Sequence, residues 1–185
     1  MQRVRMWTSI MFMGLGVSLV LADGGYGTNK AMASGAEGRQ KSSIVTQLYQ
    51  NECASCHMAY RPEFLPKRSW RKIMKGLENH FGADATMDPK DQATLSKYLQ
   101  ENASDAKRTS HAATKLTRSI PKHSVLMRIT EIPKFKREHR EIPKRLIKQE
   151  KVRLLSNCVA CHQRAEKGLY GERDIFIPNY GRWED

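Results

Sequence analysis

The sequence predicts a mainly α protein with a small helical N-terminal half and an irregular, helix-poor C-terminal half. Three observations carry this reading. Apolar residues recur at three and four only over about 42–102, whereas the second half is basic and broken by prolines. Each half also holds one copy of the same pentapeptide, in "NECASCH" (Cys53, Cys56, His57) and in "NCVACH" (Cys158, Cys161, His162), and the two copies use all four cysteines.

Taken in order, Arg3 and Arg5 precede an uncharged apolar run from Met6 to Ala22. This reads as a secretory signal peptide over 1–22, the rival being a retained membrane anchor, for which the run is short against the ~20 residues of a spanning helix. Residues 23–41 carry five glycines and little to bury, and read as a disordered leader. From 42 to 102 the pattern is helical. Ser42 or Ser43 caps a helix that presents Ile44, Val45 and Leu48 and runs into Cys53. Past the "RPEFLPK" turn, Ser69 caps a second helix whose Trp70, Ile73, Met74, Leu77 and Phe81 form a stripe, with Gly82 to end it and His80 facing inward. Asp88 and Pro89 open a third that buries Leu95, Tyr98 and Leu99.

Residues 103–124 read as a polar linker, and 125–185 as the second half. From Pro121 to Arg153 there are eleven Lys or Arg against four Glu, and "EIPK" occurs at Glu131 and Glu141, each proline placed to begin a helical turn. "DIFIPNY" reads as one short extended segment without a true sheet.

The whole chain of 185 residues has a net charge of +13. Removal of 1–22 takes two arginines and no acid, leaving 30 basic against 19 acidic residues, or +11. Such a balance suits acidic partners, and export argues against nucleic acid. After removal of the leader no second long apolar segment exists, so the mature chain is expected not to span a membrane. With a mean hydropathy of −0.63 and 8% aromatics, side chains alone make a thin core.

Cys-x-x-Cys-His reads as covalent attachment of c-type haem: both thiols reach the porphyrin vinyl groups and the histidine turns its imidazole beneath the iron. Zinc would have to join cysteine pairs 105 positions apart without using either histidine, and a redox-active disulfide wants a βαβ context that is absent. Two covalently held haems would then supply much of the missing core. The sixth ligand decides the chemistry, since an open iron binds gas or peroxide and a closed one only exchanges electrons. Met74 and Met87 are conceivable at the first haem and Met127 at the second, but helical methionines are usually packing residues. His80 on the apolar stripe is the preferred ligand for the first haem. For the second the order is His139, then His123, then His111.

The stretches "NECASCHMAYRPEFLPKRSW", "GLENHFGADATMDP", "LMRITEIPKFKREHREIPKR", "NCVACH" and "GLYGERDIFIP" resemble the bacterial dihaem cytochrome c family, over roughly residues 42–178. The resemblance implies a periplasmic electron-transfer protein with an N-terminal domain resembling class I cytochrome c and an irregular C-terminal haem domain. It implies Cys53, Cys56, His57 and His80 for one haem, and Cys158, Cys161, His162 and His139 for the other; His123 is an extra histidine outside the family pattern. Implied partners are other redox proteins, such as a small high-spin haem protein or a membrane cytochrome b, and no enzymatic activity is expected. The competing reading is a small haem enzyme or gas-binding protein with one five-coordinate iron. On the closed-site reading the basic segment 121–153 steers an acidic partner to the second haem.

Overall fold

The computed structural model describes residues 28–106 and 109–183. The expected signal peptide lies outside the described residues. The chain forms two compact units, 1–37 and 38–185. Of the first unit only the backbone of 28–37 is described, and it is helical.

Helix α1 spans Thr28–Cys53, so it begins well before the expected caps at Ser42 and Ser43. Alanines and other good helix formers between the glycines of 28–41 carry the backbone through a stretch expected to be disordered. Helix α2 is Lys67–Met74 and buries Trp70, Ile73 and Met74 as expected. Ser69 is fully buried inside this helix rather than capping it, and the Lys67 amide donates instead to Asp105 Oδ1 at 2.8 Å. The helix also ends earlier than expected, at Lys75, and a 3-10 turn at Leu77–Asn79 follows. Its last carbonyl, that of Met74, accepts from Gln92 Nε2 of helix α3 at 2.6 Å, which joins the two helices where they pack.

Helix α3, Pro89–Glu101, starts as predicted. The Asp88 carboxylate accepts from the Lys90 amide, Pro89 takes the first turn, and Leu95 and Leu99 are buried. The expected linker at 103–124 is a packed element. It contains helix α4, His111–Thr117, capped by Ser110, and it buries Ala103, Ala113 and Ile120. Small apolar residues within a polar stretch give little periodic signal, which is why they read as a tether.

Helix α5, Pro133–His139, opens at the proline of the first "EIPK", and α6, Lys144–Lys148, directly follows Pro143 of the second, which stands at its N-cap. The remainder is 3-10 turns, and 176–182 folds back as a two-residue antiparallel hairpin, β1 Phe176–Ile177 with β2 Gly181–Arg182. Asn179 and Gly181, both at positive φ, make that reversal where a single extended segment was expected. One apolar cluster joins Tyr49, Leu65, Trp70, Leu95 and Leu99 of the first half to Ile120 of the expected linker and to Ile132 and Phe135 of the second half. Residues 38–185 form one compact unit, and its apolar cluster draws on both halves.

Candidate functional site

Two pairs of imidazoles stand in this body, one beside each pentapeptide. In the first, α1 ends at Cys53, and the turn carries on as the Ala54 amide donates to the Gln50 carbonyl at 2.9 Å. His57 Nδ1 lies 2.7 Å from the Met58 carbonyl oxygen, so Nδ1 carries the proton and Nε2 keeps its lone pair. The ring of His57 lies 6.2 Å from that of His80, with the planes 23° apart.

His80 reaches this place from a reversed loop rather than from the predicted helical stripe. Its amide donates to the Ala83 carbonyl at 2.7 Å and its carbonyl accepts from the Ala83 amide at 3.2 Å. Phe81 (φ 57°) and Gly82 (φ 100°) form the reversal, with the pattern of a type I′ turn. A phenylalanine in that conformation is unfavourable, and the Arg128 guanidinium seated 4.0 Å from its ring centre helps hold it. Burial, then the charges of His57 and Arg128, lower the pKa of His80, which keeps it neutral.

In the second pair a 3-10 turn at Cys158–Ala160 carries the pentapeptide, and the His162 amide donates to the Cys158 carbonyl at 2.8 Å. His162 lies 6.1 Å from His139, with the planes 58° apart. The last turn of α5 presents His139, whose ring stacks on Phe135 at 3.9 Å and whose Nδ1 donates to the Phe135 carbonyl at 2.8 Å. His162 Nδ1 is buried and, among the described residues, has no hydrogen-bond partner. Burial, and secondarily His139, bring the pKa of His162 down to about 4 against the opposing charge of Asp174. Neutral imidazole is the metal-binding form.

The four cysteines are unpaired, and burial pushes the Cys53 and Cys158 thiols up to about 11. Among the described residues no three His, Cys, Asp or Glu side chains gather as a metal cluster, so the thiols do not meet in a zinc-like site. His111 and His123 are exposed and stand in neither pair. Met74 is buried in the core. Met127, weighed for the second haem, instead lines a cavity of about 270 Å³ with His80, Phe81, Lys72 and Ile73. Arg128 likewise brings the start of the basic segment to the first pair.

Sequence reasoning missed two tyrosines. Tyr60 stacks on His57 with ring centres 4.9 Å apart, and its hydroxyl donates to the Ser156 carbonyl at 2.7 Å. Tyr170 meets His162 edge-on at 5.5 Å, and its buried hydroxyl has no hydrogen-bond partner. An aromatic three residues after the first pentapeptide is the only signal for Tyr60, and nothing local marks Tyr170.

The profile of the family described as dihaem cytochrome c matches residues 49–170, which include both pentapeptides. A dihaem cytochrome c from Rhodobacter sphaeroides is 42% identical, with 67% of this chain and 95% of that chain covered and a TM-score of 0.60. A dihaem cytochrome type c from Shewanella baltica is 38% identical, with 76% and 98% covered and a TM-score of 0.61. Comparison with curated proteins gave no match.

Proposed function

The chain belongs to the dihaem cytochrome c family and carries two haem c groups, and from that premise we propose that it passes single electrons between redox partners at two low-spin irons, each closed by two histidines. Cys53 and Cys56 hold one haem by thioether bonds, and Cys158 and Cys161 hold the other. His57 and His80 would hold the iron of the first haem, and His162 and His139 that of the second. Bound haem supplies one chemistry, the cycling of iron between ferric and ferrous.

The observation that carries this reading is the spacing of the two imidazole pairs, 6.2 and 6.1 Å. A histidine nitrogen binds a metal at about 2.0–2.1 Å and lies about 1.1 Å from its ring centre, so two imidazoles on opposite sides of one metal have centres about 6 Å apart. Both pairs stand at that separation. The Nδ1 contacts of His57 and His139 support it further, because they leave Nε2 as the ligating atom and fix the ring about its axis.

The exposed basic residues of 121–153 favour a redox partner with an acidic face, such as a small high-spin haem protein or a membrane cytochrome b. The proposed compartment is the periplasm, supported by the signal-like run Met6–Ala22. Among the described residues no helix is long and apolar enough to cross a membrane.

The test is magnetic resonance of the oxidised protein together with carbon monoxide addition to the reduced protein. Two distinct low-spin ferric signals are expected, because ring planes 23° apart in one pair and 58° in the other split the iron orbitals differently. Rapid stoichiometric uptake of carbon monoxide at either iron would mean an open site and overturn the reading.

A further inference from the structure

We propose that Tyr60 is the positioning residue that clamps the two haem-binding segments together and couples them for electron exchange, its ring lying on His57 and its hydroxyl on the Ser156 carbonyl. The proposal rests on the two-haem electron-carrier reading above.

Tyr60 is fixed at three points. Its backbone carbonyl accepts from the hydroxyl of Tyr49, a buried residue of α1, at 2.6 Å. Its ring stacks on the imidazole of the first pentapeptide at 4.9 Å with the planes 27° apart. Its hydroxyl crosses 96 positions of sequence to the Ser156 carbonyl, two residues before Cys158. A neutral phenol at pH 7 is a good donor to such a carbonyl.

The recipient loop is tied by hydrogen bonds of its own. The Asn157 amide donates to the Leu154 carbonyl at 3.0 Å, and Asn157 Nδ2 donates to the Val152 carbonyl at 3.1 Å. The Ser156 carbonyl also lies 3.6 Å from Cys158 Sγ. Thioether formation removes the proton from that sulfur, so in the matured protein Tyr60 is the remaining side-chain donor to this carbonyl among the described contacts.

The residues after Tyr60 lie against the same second segment. Phe64 meets Tyr170 edge-on at 5.3 Å, and the Arg61 guanidinium lies over Gly168. Tyr170 meets His162 from within the second segment, whereas Tyr60 touches the imidazole of the first segment and donates to the carbonyl of the other, which distinguishes it from simple packing. The exchange itself is balanced: one electron leaves the iron at one site as it arrives at the other, no bond forms or breaks, and no proton is transferred.

The experiment uses the matured two-haem protein and the variants Tyr60→Phe and Tyr60→Leu. One electron per molecule is delivered by a photogenerated reductant, and its redistribution between the haems is followed optically; deuterium uptake over 152–158 is measured in parallel. In Tyr60→Phe the loop is expected to open about fivefold more often, the equivalent of one hydrogen bond of about 1 kcal/mol. Redistribution is expected to slow several-fold in Tyr60→Phe and further in Tyr60→Leu, while Tyr60→Phe keeps the low-spin spectra and midpoint potentials of the parent. A redistribution rate unchanged in Tyr60→Phe overturns the proposal, whatever the loop does. Should carbon monoxide bind the reduced parent rapidly, the closed-site reading fails by itself, and deuterium uptake still decides the clamp.

Discussion

At the scale of single residues, an imidazole can bind a metal only while one nitrogen is bare, and the fold favours that form in both pairs. Carbonyls take the Nδ1 protons of His57 and His139, while burial keeps His80 and His162 neutral. Replacing one imidazole by a thioether favours ferrous iron and raises the potential. His80→Met is therefore expected to raise one of two midpoint potentials in a spectroelectrochemical titration and leave the other nearly unchanged. His139→Met should do the same to the other haem, and His123→Met should move neither. A shift on His123→Met with none on His139→Met would reverse the assignment at the second site. The sequence put forward His57, His80, His139 and His162, and the fold brings these four together in two pairs. The route of His80 was not legible, since the apolar stripe implied a continuous helix and the chain instead breaks after Lys75 and turns back through Phe81 and Gly82.

At the scale of elements, the segment 60–64 joins parts of the chain that sequence reading kept separate. Glu63, its side chain 12% exposed, accepts from Arg61 Nε at 2.6 Å and from the amide and hydroxyl of Ser110, each at 2.9 Å. Burial pushes its pKa up, but these donors outweigh that and hold it below the usual carboxylate range. A depressed folded pKa means the stabilisation is present above the unfolded value and is lost as pH falls through the folded one. Glu63→Gln should therefore cost about 1–3 kcal/mol at pH 7 by urea unfolding, and the difference from the parent should shrink below about pH 4. An equal cost at pH 7 and pH 3 would show that the charge is not what matters. Gly168, at φ 75°, closes the 3-10 turn Ala165–Lys167, and a Cβ there would run into the Arg61 guanidinium. Gly168→Ala is expected to lose about 1–2 kcal/mol from the left-handed backbone alone, with a further loss through the displaced Arg61–Glu63 pair. Helix α3 was readable to its first residue because Asp88 and Pro89 are local signals. The packing of 103–124 was not, because it depends on Ser110 meeting a carboxylate 47 positions away.

At the scale of the whole molecule, net charge and core size decide different things. The apolar cluster of 38–185 draws on both halves yet stays small, and exposed Phe81, Leu154, Val159 and Phe176 lie on or near the loops that carry the two pairs. A thin side-chain core was legible in composition; its sharing between the halves was not, because Ile120, Ile132 and Phe135 lie far in sequence from the residues they meet. Charge acts at longer range. The chain's net charge of +13 is concentrated in 121–153, and Arg128 brings that excess beside His80 while α5 carries Lys136 and Arg137 beside His139. A field that spans both pairs would attract the acidic partner proposed above before contact, and so raise the association rate more than the affinity. The Debye length is about 30 Å at 0.01 M salt and about 8 Å at 0.15 M, so this attraction is strongly screened between those concentrations. Stopped-flow reduction by an acidic one-electron donor protein is thus expected to slow at least about tenfold across that range, while reduction by a small neutral reductant stays constant. Equal salt sensitivity for both donors would place the effect in the haem potentials and remove steering from the account.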